Sequence, residues 1–228
     1  MISRIVGFGC SWIYGDEIEH PTAEPGTSEY RNYREQNCTL GQFAKLAGAL
    51  SVENYGIGGG SLQSTQWEFS KWAQKNSASP NTLIVVGLTE ASRMSWWNGP
   101  NKNQNRFGGR YMHNHWIYPG HPWEEFVKFY YANSDEHKLW AVNYWQAVSF
   151  FHSYCVTHNM PLFMFNVFPA PCDMEEVVQS DWNARGYIHS VHREQGDIIA
   201  PGKHPNEKGS IILAERLYYM AKDAKLIE

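Results

Sequence analysis

Short apolar runs alternate along this chain with longer stretches whose apolar positions recur at helical spacing, and the alternation predicts the elements. An apolar, β-branched run over about 3–9 reads as a first strand that stops at Gly9-Cys10-Ser11. A polar stretch rich in Pro, Gly and Glu, at about 15–37, reads as a loop. A helix follows, with Thr39 as its N-cap and Leu40, Phe43, Ala44, Leu46 and Ala47 along one side. Ser51–Tyr55 reads as a short strand that ends in Gly56-Ile57-Gly58-Gly59-Gly60, and Ser61 or Leu62 opens a helix running to about Asn76. Thr82-Leu83-Ile84-Val85-Val86-Gly87 is a continuous apolar run, the pattern of a strand covered on both faces. A long helical pattern spans about 135–158, Pro161 introduces a strand over Leu162–Phe168, and a last helix covers about 206–224. The region 173–200 carries no clear period. Strand and helix in regular alternation predict an α/β protein, a parallel sheet with helices on both faces in three α/β/α layers.

At 228 residues with 43% hydrophobic side chains, one domain with one core is expected, spanning 1–228. Aromatic content shifts within the chain: six of the ten Trp fall between Trp96 and Trp145, in a stretch also rich in Asn, Gly and His. We read about 94–134 as an aromatic-rich insertion with its own surface. A net charge of -4 argues against a protein that works by wrapping nucleic acid. No apolar run reaches the ~18 residues of a membrane span, and the N-terminus enters a strand without a signal-peptide pattern. The four cysteines are far apart, without a CxxC pair, which fits free thiols in a reducing compartment. A cytoplasmic protein is expected, with virion association as the alternative.

Two residues stand where α/β sheets keep their chemistry. Ser11 lies at the carboxyl end of the first strand, and His204 lies in a loop just ahead of the last helix. A serine and a histidine so placed suggest a hydrolase with an activated nucleophile. The bland readings are a strand-end turn for Ser11 and a capping role for His204. Gly58–Gly60 lacks the following Lys-Ser/Thr of a phosphate cradle. His113, His115, His121, His189 and His192 have no Cys or carboxylate at ligand spacing, so no metal and no cofactor is expected. Asp16, Glu17 and Glu90 sit near strand ends and read first as solvated loop carboxylates, with lining of the pocket as the alternative. Trp116 and Trp123, with Trp96 and Trp97, read either as a stacking platform or as a small local core.

Four segments together resemble the blocks of the SGNH (GDSL-like) hydrolase superfamily, in that family's order and over nearly the whole chain. Gly9-Cys10-Ser11-Trp12 is similar to its Gly-Asp-Ser block, with Cys10 in place of Asp; Asn54-Tyr55-Gly56-Ile57-Gly58-Gly59 is similar to its oxyanion glycine loop. Gly87-Leu88-Thr89-Glu90 stands where the family has Gly-x-Asn-Asp, and Pro201-Gly202-Lys203-His204 where it has Asp-x-x-His. The resemblance implies a flavodoxin-like parallel sheet, Ser11 as nucleophile, His204 as base, and an oxyanion hole of Ser11, Gly59 and Thr89. Two departures matter. Thr89 replaces an Asn whose amide helps hold the oxyanion, and losing one such donor costs about 10²–10³ in rate. Pro201 stands where the triad acid belongs, so His204 takes another partner (a backbone carbonyl, Asp197 as the nearest carboxylate, or Asp181 farther off) or works with Ser11 as a dyad without an acid.

The function so implied is cleavage of a small acyl ester, an O-acetyl group on a carbohydrate for example, with Trp12, Glu90, Trp96 and Trp97 as candidate substrate contacts. Two alternatives stand beside it: a catalytically inactive SGNH-like binding or virion structural protein, and an O-acyltransferase on the same scaffold. Thr89 with Arg93 nearby is similar to SGNH-like proteins of phages and their hosts. The expected partner is a small-molecule or carbohydrate ester, not nucleic acid or membrane; a homo-oligomer or a virion partner is compatible with this reading.

Overall fold

The computed structural model describes residues 2–91, 93–97, 109–112, 125, 136–167, 184–187, 198, 200 and 204–228, with backbone alone for 94–97, 109–112, 136–138 and 184–187. In chain order the elements are β1 (Arg4–Gly9), α1 (Ser11–Tyr14), α2 (Ser28–Asn37), α3 (Thr39–Leu46), β2 (Ser51–Gly56), α4 (Leu62–Lys75) and β3 (Thr82–Leu88). They continue with β4 (Met94–Trp97), β5 (Gly109–Met112), α5 (Glu136–Thr157), β6 (Leu162–Asn166), β7 (Ala184–Tyr187) and α6 (Glu207–Asp223). The main sheet runs β2-β1-β3-β6-β7, and each neighbouring pair is parallel. Numbered by their order in this sheet's chain path, the strands lie 2-1-3-4-5, the flavodoxin-like arrangement, whose direction of winding reverses between β1 and β3.

Alternation along each strand sends successive side chains to opposite layers. Ile5, Leu83, Val85 and Phe163 join Leu40 and Phe43 of α3 and Leu213 and Leu217 of α6 in one core. Val6, Phe8, Ile84, Val86 and Met164 join Phe69 and Trp72 of α4 and Tyr144 and Phe151 of α5 in the other. All seven residues of β3 are buried, which is why that strand reads as an unbroken apolar run. Ser61 caps α4 in a reciprocal capping box with Ser64, and Asn206 caps α6 through the amide of Gly209 at 2.9 Å.

The stretch expected to be loop at 15–37 contains α2. Its helix buries no residue of its own, so the sequence shows no apolar stripe. It is held by its ends and by polar contacts: Thr27 caps it, and Arg34 stacks 3.7 Å from the Tyr14 ring centroid while donating to the Tyr14 hydroxyl at 2.5 Å. Tyr33 hydrogen-bonds Glu207 at the start of α6. Thr39 is also displaced from its expected role. Cys38, in extended conformation, is the N-cap of α3, and Thr39 is its first helical residue.

The strands β4 and β5 pair antiparallel in a separate two-stranded sheet at the start of the aromatic-rich segment. Most of that segment, with Trp116, Trp123, His113, His115 and His121, lies outside the described residues, as do His189 and His192. No described helix is long and apolar enough to cross a membrane. Cys10, Cys38 and Cys155 are buried free thiols, and burial pushes the Cys155 thiol up to about 12.

The end of β2 leaves no room for a side chain at Gly56, where a Cβ would stand 2.4 Å from the backbone nitrogen of Tyr14. Gly56→Ala must therefore push α1 off the sheet, because neither partner is a flexible side chain. We expect a loss of about 1–3 kcal/mol in urea denaturation; unchanged stability would contradict this packing.

Candidate active site

The nucleophile candidate is held by backbone geometry. Gly9 has φ +151°, and a Cβ there would lie 2.7 Å from the carbonyl oxygen of Gly87. The chain then turns sharply through Cys10 into the single turn of α1, with Ile13 N–H on the Cys10 carbonyl at 3.0 Å and Gly15 N–H on the Ser11 carbonyl at 2.9 Å. Ser11 is the first residue of that turn and is 3% exposed. First-turn amides have no intrahelical acceptor; among the described residues neither the Ser11 amide nor its hydroxyl has a hydrogen-bond partner. Asn54 clamps this turn to β2, donating from Nδ2 to the Ile13 carbonyl at 2.6 Å and accepting the Gly56 amide at 2.9 Å.

The glycine loop after β2 is tied to the same corner. Ile57 N–H donates to the Gly9 carbonyl at 2.9 Å, and Gly60 N–H closes a turn onto Ile57 at 2.9 Å. Gly59, third in this turn, has φ +67° with open space on its Cβ side, so the backbone angle and not crowding calls for glycine. Its amide has no partner among the described residues. Thr89 follows β3 directly and is 2% exposed, and its Oγ1 is buried without a partner among the described residues. A buried hydroxyl without a partner is uncommon. Arg93 Nη1 donates to the Gly60 carbonyl at 3.4 Å, which links the glycine loop to the segment after β3.

His204 has found a carboxylate, and it is Glu17. Its Nδ1 lies 2.9 Å from Glu17 Oε2, and the His204 backbone N–H donates to the same oxygen at 3.2 Å. A carboxylate accepts the Nδ1 proton, so Nε2 carries the lone pair that a general base needs. Glu17 has φ +66°, a costly angle for a side-chain-bearing residue, and such outliers gather where the surroundings over-determine them. Around His204 the chain is braced by Ala200 N–H on the His204 carbonyl at 2.9 Å and Asn206 N–H on the Ile198 carbonyl at 3.1 Å. A cleft of about 720 Å³ opens beside the pair, lined by Glu17, Glu19, Ala200, Asn206, Glu207 and Lys208. Ser11 and His204 make no direct hydrogen bond; such contacts often close only around substrate. Ser11 shares one loop with the carboxylate that binds His204, since Gly15 and Asp16 donate to the Ser11 carbonyl and Glu17 follows at once.

Neither a family model nor a curated protein matches the chain. Solved structures do match. A protein assigned to the lipolytic G-D-S-L family from Desulfitobacterium hafniense DCB-2 superposes with a TM-score of 0.53 at 9% identity, over 96% of this chain and 99% of its own. The psychrotrophic esterase EstA from Pseudoalteromonas sp. gives 0.54 at 9% identity over 97% of both chains. A carbohydrate esterase gives 0.50 at 14% identity, over 97% of this chain and 65% of its own. The chain has the SGNH hydrolase fold.

On that fold, Ser11, Gly59 and Thr89 fall at the carboxyl ends of β1, β2 and β3, around the reversal point of the sheet. Asp197, the expected partner of His204, lies outside the described residues, as does Asp181. Glu17, read from the sequence as a solvated loop carboxylate, is instead bound to His204. The signal for it was its position: it lies six residues after Ser11, in the loop at the end of the nucleophile's strand, whereas Pro201 drew attention to carboxylates near the histidine. Trp12 is 6% exposed and packs in the core beneath α1. Glu90 pairs with Arg93 at 3.7 Å. Trp96 and Trp97 lie on β4, where only the backbone is described. These neighbours lend no support to a phage-type member.

Asp16 is half-buried, and burial lifts its carboxyl above the usual range against the opposing pull of His204 and Arg34. The folded chain therefore holds this proton more tightly than the unfolded chain. The stability tied to it is present at low pH and is lost as pH rises through the raised value. Asp16→Asn should melt at a higher temperature than wild type at pH 7, and the gain should vanish below the ordinary carboxyl value of 3.8. Calorimetry at both pH values tests this, and a gain that grew on acidification would reverse the sign.

Proposed function

We propose that the protein is an ester hydrolase in which Ser11 is the nucleophile, His204 the general base and Glu17 the acid that orients it. The observation that carries this reading is the 2.9 Å contact between His204 Nδ1 and Glu17, because it supplies the carboxylate that the His204 block lacks. Ser11 Oγ attacks the acyl carbon and His204 Nε2 takes its proton. The Ser11 and Gly59 amides and the Thr89 hydroxyl donate to the developing oxyanion. Collapse of the tetrahedral intermediate expels the alcohol, which His204 protonates, and water then releases the acyl group by the same steps. Three unengaged donors at adjoining strand ends support the oxyanion assignment. The substrate we propose is a small acyl ester, an O-acetyl group on a carbohydrate; a carbohydrate esterase among the structural neighbours supports that class.

Fluorophosphonate labelling with p-nitrophenyl acetate turnover tests the assignment. Wild type should label at Ser11, and Ser11→Ala and His204→Ala should not. Glu17→Gln keeps the shape but removes the charge, and kcat should fall about 10²–10⁴-fold with the residual rate rising steeply with pH. Thr89→Val should lower kcat about 10²–10³-fold with little change in KM. Folded wild type that never labels would mean a fold kept for binding. Acyl transfer to an added sugar in preference to water would make the protein a transferase.

A further inference from the structure

Asp16 stands between the last residue of the nucleophile turn and the acid bound to His204, and the mechanism above gives it no task. Its Oδ2 lies 2.8 Å from where a Cβ on Gly58 would stand, so the carboxylate rests against the glycine turn that presents the Gly59 amide. It lies within electrostatic reach of both His204 and Arg34. Arg34 is already committed to Tyr14, as a hydrogen-bond donor and as a cation over its ring. Among the described residues no donor hydrogen-bonds the Asp16 carboxylate. A half-buried carboxylate without a donor destabilises the fold that contains it, and burial does lift its pKa. Its segment is not free to relax, because Asp16 N–H is fixed to the Ser11 carbonyl at 3.1 Å and Glu17 is fixed to His204.

We infer that Asp16 is a specificity-determining residue whose carboxylate accepts a hydrogen bond from a hydroxyl next to the esterified oxygen, selecting monoacyl esters of vicinal diols. The inference rests on the ester-hydrolase reading. His204 returns the proton to the leaving oxygen, so the alcohol half of the ester lies on the His204 side, and Asp16 is within the field of that imidazole. Arg34 already offsets the carboxylate's charge, which favours a neutral donor over an ammonium group. A hydroxyl on the carbon beside the ester is a donor on the alcohol half.

The test compares affinities in the Ser11→Ala background, where no ester is consumed. Calorimetry gives Kd for a monoacetylated methyl xyloside with a free neighbouring hydroxyl, for phenyl acetate and for acetylcholine, with Asp16 intact and as Asp16→Asn and Asp16→Ala. The affinity ratio of the xyloside ester to phenyl acetate should fall about tenfold or more in both Asp16 variants, the size expected for a hydrogen bond to a charged group. An unchanged ratio overturns the inference and would leave Asp16 acting only through His204. Failure of the xyloside ester to bind the Ser11→Ala protein overturns it too, as does a larger loss for acetylcholine. The hydrolase reading fails separately: wild type that neither labels nor turns over p-nitrophenyl acetate sinks it, while the affinity ratio still reports on Asp16.

Discussion

Three backbones meet at the carboxyl end of the central strands with no space between them, and the geometry of the site follows from that crowding. A Cβ on Gly9 would strike the Gly87 carbonyl, one on Gly87 would lie 2.8 Å from Ile13, and one on Gly56 would strike the Tyr14 nitrogen. Without side chains at these positions α1 can lie on the strand ends, and the chain can turn from β1 into a helical start within two residues. The sheet order places this corner where the winding reverses, so loops from β1 and β3 splay apart above it. The two hydrophobic layers keep the strands in register, and the glycines let the register end in a sharp corner. Mutations in either core would act on the site indirectly, through the spacing of these strand ends.

Much of this was legible in the sequence. The apolar runs of β1 and β3 and the starts of α4 and α6 read directly, because burial on both faces and the onset of helical spacing leave local signatures. Helix α2 did not, since it owes its place to Thr27, to Arg34 on Tyr14 and to Tyr33 on Glu207 and presents no apolar stripe. The site divides in the same way. Ser11 and Gly59 were singled out because a strand end and a glycine run are local features of the sequence. Glu17 was not, because its pairing with His204 spans 187 positions and no local pattern encodes it.

The electrostatics of the corner are unequal by construction. Glu17 is satisfied by the amide and the ring of His204, whereas its neighbour Asp16 keeps a carboxylate that burial penalises. Adjacent carboxylates in different surroundings take different tasks. In the proposed mechanism one orients the imidazole, and the other is the acceptor we infer for the substrate.

The pairing of Glu17 with His204 also changes how the parts of the site are distributed along the chain. In the proposed assignment, nucleophile, its amide donor and the acid all fall within residues 11–17, a segment stiffened by the α1 turn and by Gly15 in the left-handed region. The remote strand-to-helix connection is then left with a single duty, to deliver an imidazole. Positions 201–203 need carry no carboxylate at all, so the Pro201-Gly202-Lys203 sequence loses its character as a defect. It becomes a stretch released from chemical constraint and open to change for reasons of binding or folding alone.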